Sequence, residues 1–513
     1  MRYFLYVYLL FFNINFLLAQ ETQSQSRIDE IVVTAEFSDI DAFNISSSIS
    51  IISENDISKR NANHLEDLLF ITPNVNYSSG ASRGKFYQIR GIGERSEFTE
   101  PVNYSVGVII DGIDFTGIAL GASTFDVKQI EILRGPQGTL YGANALAGLI
   151  NIVSNDPTED FYSEVSGSIS EFGGKDFGII ISNSNDNNFG YRLGFKNSKS
   201  DGFVKNVYLN RDDTNDIDET ISRAKFTKNN DTTKLTLNIF YADIDNGYDA
   251  FSLDNTRTTY SDEPGYDRQK TTAASTKFEK TLRNNNTIEI LASFSDSELG
   301  YAYDEDWSNT GICDKTPCDS TLFGFDWWYS SFDSFNRDNT NHSIDLRYIS
   351  NSENINWVVG LYNRDQDINL IRKYTYLQND FKSSFDTRNS AIYGQFTNNL
   401  TNKIKFQAGL RYEDRRADYL DNNGPVPEGF FCIEIYPRPD SCLFDNKYSK
   451  SENFWGGQIS LQNQIIENTM IYVLLSRGYK PGGVNIDGQI SQQNLNYDSE
   501  TMWNYELGIK TNN

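Results

Sequence analysis

The sequence predicts a mainly β protein in two parts: a small α/β domain over residues 41–157, then a transmembrane antiparallel β-barrel over residues 158–513. Three observations carry this. From Phe161 onward polar and apolar residues alternate strictly in short blocks, the period of half-buried strands. The connectors between those blocks alternate between short polar turns and long acidic stretches. A soluble sandwich has no reason to keep one end short, whereas a membrane barrel has short inner turns and long outer loops. Finally, the chain opens with a secretory signal, yet no later segment is long and apolar enough for a spanning helix.

Composition narrows the function classes. The 513 residues carry 45 Lys and Arg against 70 Asp and Glu, a formal charge of −25. A phosphate binder needs a basic face, so no nucleic-acid partner is expected. Aromatics make up 14% of the chain, too many for a disordered acidic polymer. His64 and His342 are the only histidines. They leave no credible Ser-His-Asp constellation and no His-based metal site. Gly91-Ile92-Gly93 and Gly135 to Gly138 are glycine-rich, but neither continues into a phosphate cradle. The expectation is a non-enzyme without catalytic residues, metal or cofactor.

Met1-Arg2 precede an apolar run from Tyr3 to Leu18 that ends at Ala19, so residues 1–19 read as a signal peptide. Residues 20–40 are mostly polar but contain Asp29-Glu30-Ile31-Val32-Val33-Thr34-Ala35, an island rich in β-branched residues. By periodicity alone it is either an edge strand of the next domain or an exposed strand that pairs with a partner's sheet. In residues 41–157, Ser46 to Ile52 reads as a strand. Asn63 and Glu66 form an N-x-x-E cap before a helix with a Leu65, Leu68, Leu69 stripe, which Thr72-Pro73 ends. Val106 to Ile110 and Leu149 to Val153 read as buried strands, the first followed by an Asp111-Gly112 turn.

In the second part, Leu235, Leu237, Ile239 and Tyr241 share one face and Lys234, Thr236 and Asn238 the other. Ile404, Phe406, Ala408, Leu410 and Tyr412 likewise oppose Lys403, Lys405, Gln407 and Arg411. Short turns fall at 185–188, 229–231, 284–286 and 467–468; long stretches at 198–221, 243–272, 297–340, 365–388, 414–453 and 479–499. About fourteen strands result, an even number as such barrels require. Tyr241, Phe294, Trp357, Tyr412, Phe454, Trp455, Tyr472 and Trp503 lie near strand ends, as girdles at a lipid boundary would.

Cys313 and Cys318 fall in one expected outer loop, Cys432 and Cys442 in another. An even count in an exported chain suggests disulfides rather than a four-Cys zinc site. Of three possible pairings, loop closure favours the local one, 313–318 with 432–442.

Glu131-Ile132-Leu133-Arg134-Gly135-Pro136-Gln137-Gly138-Thr139-Leu140-Tyr141-Gly142-Ala143-Asn144-Ala145, running on from Gly148 to Val153, resembles the plug domain of TonB-dependent outer-membrane receptors, with siderophore receptors in view. Leu65 to Val75, Ile89-Arg90-Gly91 and Val106 to Gly112 add to the resemblance. So do Ser476 to Asn485 and Tyr505 to Thr511 in the barrel. Asp29 to Ala35 looks like the TonB box, which favours the strand-pairing reading of that island.

The resemblance implies that residues 41–157 sit as a plug inside the barrel. Family barrels have 22 strands, so about 14 of an expected 22 are present and the chain looks C-terminally truncated, its last strand an unpaired edge. It also implies an outer-membrane location in a Gram-negative bacterium, with lipid and lipopolysaccharide as surroundings, and TonB binding at Asp29, Glu30, Ile31, Val32, Val33, Thr34 and Ala35. Arg90 and Arg134 match plug arginines that lock onto barrel carboxylates, with Glu131 on the same segment and Glu500 and Glu506 as candidate partners. The expected function is active uptake of a scarce bulky small molecule, a ferric siderophore first. Alternatives are a glycan, cobalamin or other nutrient by the same mechanism, or a non-energised porin or adhesin. Segments 80–86 and 93–101 with loops 297–340 and 414–453 are the expected ligand contacts.

Overall fold

The computed structural model describes residues 32–34, 37, 40–79, 82–95, 102–253, 255–312, 330–350, 352, 355–377, 379–422, 447–484 and 496–512. The expected signal peptide, Asp29, Glu30, Ile31 and Ala35 of the box, and Cys313, Cys318, Cys432 and Cys442 lie outside these residues.

The N-terminal domain is built on a five-stranded mixed sheet. Its order is Ile49–Ser53, Val127–Arg134, Gly148–Ser154, Val106–Ile110 and Ile113–Asp114. Val127–Arg134 runs antiparallel to both neighbours, and Val106–Ile110 runs parallel to Gly148–Ser154. Val127–Arg134 shows no alternation in the sequence because nearly all of it is buried, as expected for a strand covered on both faces. Helix Glu54–Arg60 begins with a capping box: Ser53 accepts from the Asp56 N–H while Asp56 accepts from that of Ser53. Its left-handed stop at Asn61 has φ 48°. The expected Asn63–Glu66 cap is not formed. Helix Glu66–Leu69 has no side-chain cap at its start, and Asp67 instead accepts from the main-chain N–H groups of Asn63 and His64. The stripe itself is present, with Leu65, Leu68 and Leu69 packed into one cluster with Val108, Ile130, Ile132, Ile150 and Ile152.

From residue 162 onward the main element is a fourteen-stranded sheet in which each strand pairs antiparallel with the sheet strands before and after it, from Tyr162–Ile169 to Glu500–Thr511. These two strands are its edges among the described residues. Strands grow from eight residues in Tyr162–Ile169 to twenty in Ile355–Tyr374 and Lys447–Ile466. The short turns fall where expected: Ser184 to Phe189, Asn230 to Thr233, Thr281 to Thr287 and Ile466 to Thr469 each join consecutive strands. The long stretches are shorter than the sequence suggested. The expected connector 365–388 reduces to the six residues between Tyr374 and Phe381, because the ladder continues to Arg372 opposite Phe381. Crossing a bilayer takes only ~9–11 residues. Beyond that both faces of a hairpin are wet, so the ladder persists after the alternation has gone.

The sheet is inverted relative to a soluble protein. Leu346, Leu361, Ile392, Tyr412 and Trp455 stand in register across five strands, all facing out and 39–54% exposed. The adjoining row is Asp345, Tyr362, Ala391, Glu413 and Phe454, in which Asp345, Ala391, Glu413 and Phe454 are buried. Apolar side chains outside and polar ones inside are what lipid around an occupied lumen selects. The same alternation corrects two of the expected girdle aromatics. Phe454 and Tyr472 point inward; Phe454 stacks on Tyr479 at 5.0 Å, and the Tyr472 hydroxyl donates to Glu506 at 2.6 Å. Adjacent residues on a strand face opposite ways, so Phe454 cannot share the outward face of Trp455.

Candidate functional site

The five-stranded domain lies within the curve of the large sheet, and three zones of contact define the site. At the short-turn end, Val32–Val33 pairs antiparallel with Ile40–Asp41. Val33 is fully buried with Ile45, Leu133 and Leu149. Thr34 donates from its main-chain N–H and its Oγ1 to Glu131 Oε1, at 2.8 and 2.9 Å. Gln129 donates to the same oxygen at 2.7 Å, and Asn151 donates to Glu131 Oε2 at 3.0 Å. Phe37 reaches the wall, stacking on Tyr393 at 5.4 Å with the Arg347 guanidinium 5.8 Å from its ring centre. Arg347 is itself held by Asp345 and Glu289, at 2.7 and 2.8 Å.

At the long-connection end, hairpin Val75–Ser78 with Phe86–Ile89 presents its tip to the wall. Ser82 donates twice to Asp267 Oδ2, at 2.9 and 2.8 Å. Arg83 forks onto Glu219 at 2.8 and 3.0 Å and also reaches Glu66. A bidentate guanidinium–carboxylate pair fixes orientation as well as distance. Lys85 stands 5.4 Å from the ring centre of Tyr301. Tyr301 belongs to an aromatic group with Tyr248, Tyr303 and Phe335, over which Arg372 lies 5.1 Å from the Phe335 centre.

Between the ends, charge pairs cross from domain to wall. Arg192 meets Asp126 at 2.6 Å with both side chains more than nine-tenths buried. Arg364 meets Asp114 at 3.1 Å, Lys480 meets Glu94 at 2.7 Å and Arg223 meets Asp111 at 3.6 Å. The strongly patterned stretch Pro136 to Ala143 docks on a fully buried pair, Arg411 and Glu413, joined at 2.8 Å. Arg411 donates to the Leu140 carbonyl, and Tyr479 and Asn389 both donate to Glu413. Gly142 has φ +65°, and a Cβ there would collide with Glu413 and Arg411, so glycine is required both by the backbone and by the close approach. Gly138 packs beside Arg477 and Gly478. Two of the stretches that carry the resemblance are thus in contact, at Gly138 and at Arg477 and Gly478.

A cavity of about 670 Å³ opens beside the domain. Thr34 and Phe37 line it on one side and Lys277, Glu289, Arg347 and Arg364 on the wall.

The expected locking residues are partly brought together. Arg90 Nη2 donates to Glu506 Oε2 at 2.9 Å, with Asn504 beside it at 3.3 Å. Arg134 and Glu131 do not reach the wall. Arg134 is spent within its own domain on the Pro73 carbonyl and the Ser48 and Ser50 hydroxyls, and Glu131 on Thr34, Gln129 and Asn151. Both lie on strand Val127–Arg134; Arg134 comes within electrostatic reach of Glu506 but forms no ion pair with it. Glu500 is exposed at the start of the last strand, opposite Lys480 in register. Sequence reasoning missed Glu219, Asp267, Arg192, Arg364 and Glu413. Their one signal was position: each is a charged residue on the polar side of an alternating strand, which in a barrel faces the lumen.

A family model for the TonB-dependent receptor plug domain matches residues 41–149. A second, for the TonB-dependent receptor-like β-barrel, matches residues 175–513, well over half the chain. The chain belongs to the TonB-dependent receptor family. Among curated relatives, the pesticin receptor of Yersinia enterocolitica is 21% identical over 504 residues, covering 96% of this chain and 69% of the relative. The vitamin B12 transporter BtuB of Vibrio vulnificus is 29% identical over 155 residues, 30% of this chain and 24% of the relative. Among solved structures, the ferric yersiniabactin uptake receptor FyuA of Yersinia pestis superposes with a TM-score of 0.74 at 19% identity, covering 91% of this chain and 70% of that one. The siderophore receptor PiuA of Acinetobacter baumannii gives 0.71 at 16%, covering 92% and 70%. In this TonB-dependent receptor the small domain is the plug, and the three contact zones form the plug–barrel interface.

Proposed function

We propose that this receptor is an energised importer in the outer membrane of a Gram-negative bacterium, taking up a scarce bulky ligand, a ferric siderophore. The observation that carries the reading is the position of the box. Val33 packs on Leu133 and Thr34 bonds Glu131, both on plug strand Val127–Arg134, at the short-turn end, while the hairpin tip faces the long connections at the other. A ligand captured near Lys85, Tyr303 and Arg372 would meet an aromatic face and cations, chemistry suited to an anionic aromatic chelate. TonB, pairing with residues 29–35 as an added strand, would need only main-chain bonds to pull. Because Thr34 bonds to Glu131, tension on the box reaches Val127–Arg134, the strand flanked by Ile49–Ser53 and Gly148–Ser154. The pull is delivered to an inner strand of the plug sheet, and the cavity beside Thr34 and Phe37 is where a path would widen. Lipid and lipopolysaccharide surround the outward apolar face. The siderophore assignment is supported by the named substrate of the Yersinia pestis structure and by PiuA.

The test is uptake of radiolabelled ferric chelates by a TonB-containing host that lacks its own siderophore receptors. Deleting residues 29–35 is expected to leave binding intact and abolish uptake. Uptake that survives the deletion overturns the energised mechanism. Binding of cobalamin or a glycan with no ferric chelate bound overturns the ligand but keeps the mechanism.

A further inference from the structure

Two adjacent long connections meet at three carboxylates that play no part in seating the plug. Asp262 lies between strands Thr233–Tyr248 and Gly265–Thr281. Asp304 ends strand Thr287–Asp304, and Asp306 follows it. One carboxylate oxygen from each lies within 4.8 Å of the others. Asp304 and Asp306 are only 6% and 2% exposed. Asp304 uses Oδ1 to accept from the main-chain N–H groups of Asp306 and Trp307, at 3.2 and 3.0 Å. Its Oδ2 is buried with no N–H donor among the described residues, its polar neighbours being Asp306 and the Ser261 hydroxyl, and the buried Ser308 hydroxyl has no hydrogen-bond partner among them. Ser308 belongs to the same joint, since its carbonyl accepts from the Asp262 N–H at 2.9 Å.

A buried carboxylate oxygen with no donor costs free energy, and like charges beside it add to that cost. Among the described residues neither Asp262 nor Asp304 has a lysine or arginine partner. An entering cation would remove both penalties. The donors are all oxygens, which suits a hard cation. Oxygens within 4.8 Å of one another fit on the shell of a calcium ion, whose Ca–O distances run ~2.3–2.6 Å. We propose that Asp262, Asp304 and Asp306 form a calcium site that staples the two outer connections together. Calcium there would close a joint that Phe251 and Trp307 also bridge, their rings stacked 4.0 Å apart at 9°. The flanking strands also carry Asp267 and Tyr301, which meet the plug tip at Ser82 and Lys85. The ion would therefore stiffen the wall against which the tip is held. The site does not depend on the siderophore reading.

The experiment uses the whole chain in detergent, stripped with chelator and titrated with calcium chloride by calorimetry. Terbium luminescence sensitised through Trp307 gives a second readout. One saturable site in the ~0.1–1 mM range of extracellular calcium modules, or tighter, is expected. Asp304→Asn and Asp306→Asn should each weaken it at least ~10-fold, while Asp245→Asn, at an exposed pair with Arg268, leaves it unchanged. Trp307→Phe should lose the sensitised signal and keep the calorimetric binding. In chelator, Asp304→Asn should melt at or above the unmodified protein, because it relieves the crowding of three carboxyls; with calcium the order should reverse. If Asp304→Asn does not fold, the partly exposed Asp262→Asn reads the same loss of binding. No saturable calcium binding, or equal binding by the Asp304 and Asp306 variants, overturns the proposal.

Discussion

Thr34 gives both of its donors to a single oxygen: its main-chain N–H and its Oγ1 lie 2.8 and 2.9 Å from Glu131 Oε1. Asn151 closes the triangle, donating to Thr34 Oγ1 at 3.1 Å and to Glu131 Oε2 at 3.0 Å. Glu131 is fully buried, so departure of the box segment takes two of the donors to Oε1 and leaves the carboxylate with Gln129 and Asn151. The plug and the segment that TonB would grip thus share one buried charge.

Replacing that carboxylate should loosen both. In Glu131→Ala, Thr34, Gln129 and Asn151 keep their donors but lose the acceptor, a cost of about 1–3 kcal/mol. Maleimide labelling of Val33→Cys should be faster in the Glu131→Ala background than alone, with ligand binding retained. An unchanged labelling rate would show that the apolar seat of Val33, not Glu131, holds the segment.

The plug–barrel pairs should differ in strength by burial. Arg192 and Asp126 are both deeply buried, so Arg192→Ala strands a charge and should destabilise the seated plug by about 3–5 kcal/mol. The Arg90 side chain is 34% exposed, and Arg90→Ala should cost only about 0–1 kcal/mol. Denaturant midpoints of plug release, followed by limited proteolysis, would rank them; equal midpoints would refute the ordering.

The outward row predicts sensitivity to charge. Leu361 is 54% exposed between Leu346 and Ile392. An arginine there should cost about 2–4 kcal/mol at mid-bilayer and lower the yield of membrane-inserted protein. If Leu361→Arg is harmless in lipid vesicles, this face does not meet hydrocarbon.

The plug should lose stability in acid through His64. Burial pushes its imidazole below the ordinary 6.5, with Glu66 opposing. The unfolded state therefore takes the proton more readily, and stability is lost as pH falls through 6.5 while remaining level above it. Plug unfolding midpoints one pH unit either side of 6.5 should separate, and His64→Gln should narrow the gap. The same gap in the variant would assign the acid sensitivity to other groups.

Period-two alternation, the spacing of turns and the stretch from Glu131 to Val153 made the strand count, the two parts and the family legible in the chain itself. Each depends on neighbours close in sequence or on a local pattern that lipid imposes. The partners across the interface were not legible. Arg83 meets Glu219 and Arg192 meets Asp126 over separations of 136 and 66 residues, and local patterning shows that a residue faces the lumen without showing what it faces. The family-like arginines illustrate the difference: Arg90, at the end of a hairpin, reaches Glu506, whereas Arg134, at the end of strand Val127–Arg134, is consumed by Ser48, Ser50 and Pro73. The sequence by itself determined which side of each strand is wet and which is oily. Only the tertiary structure decided which charges meet, because that depends on how deep the plug sits and how it is rotated within the sheet.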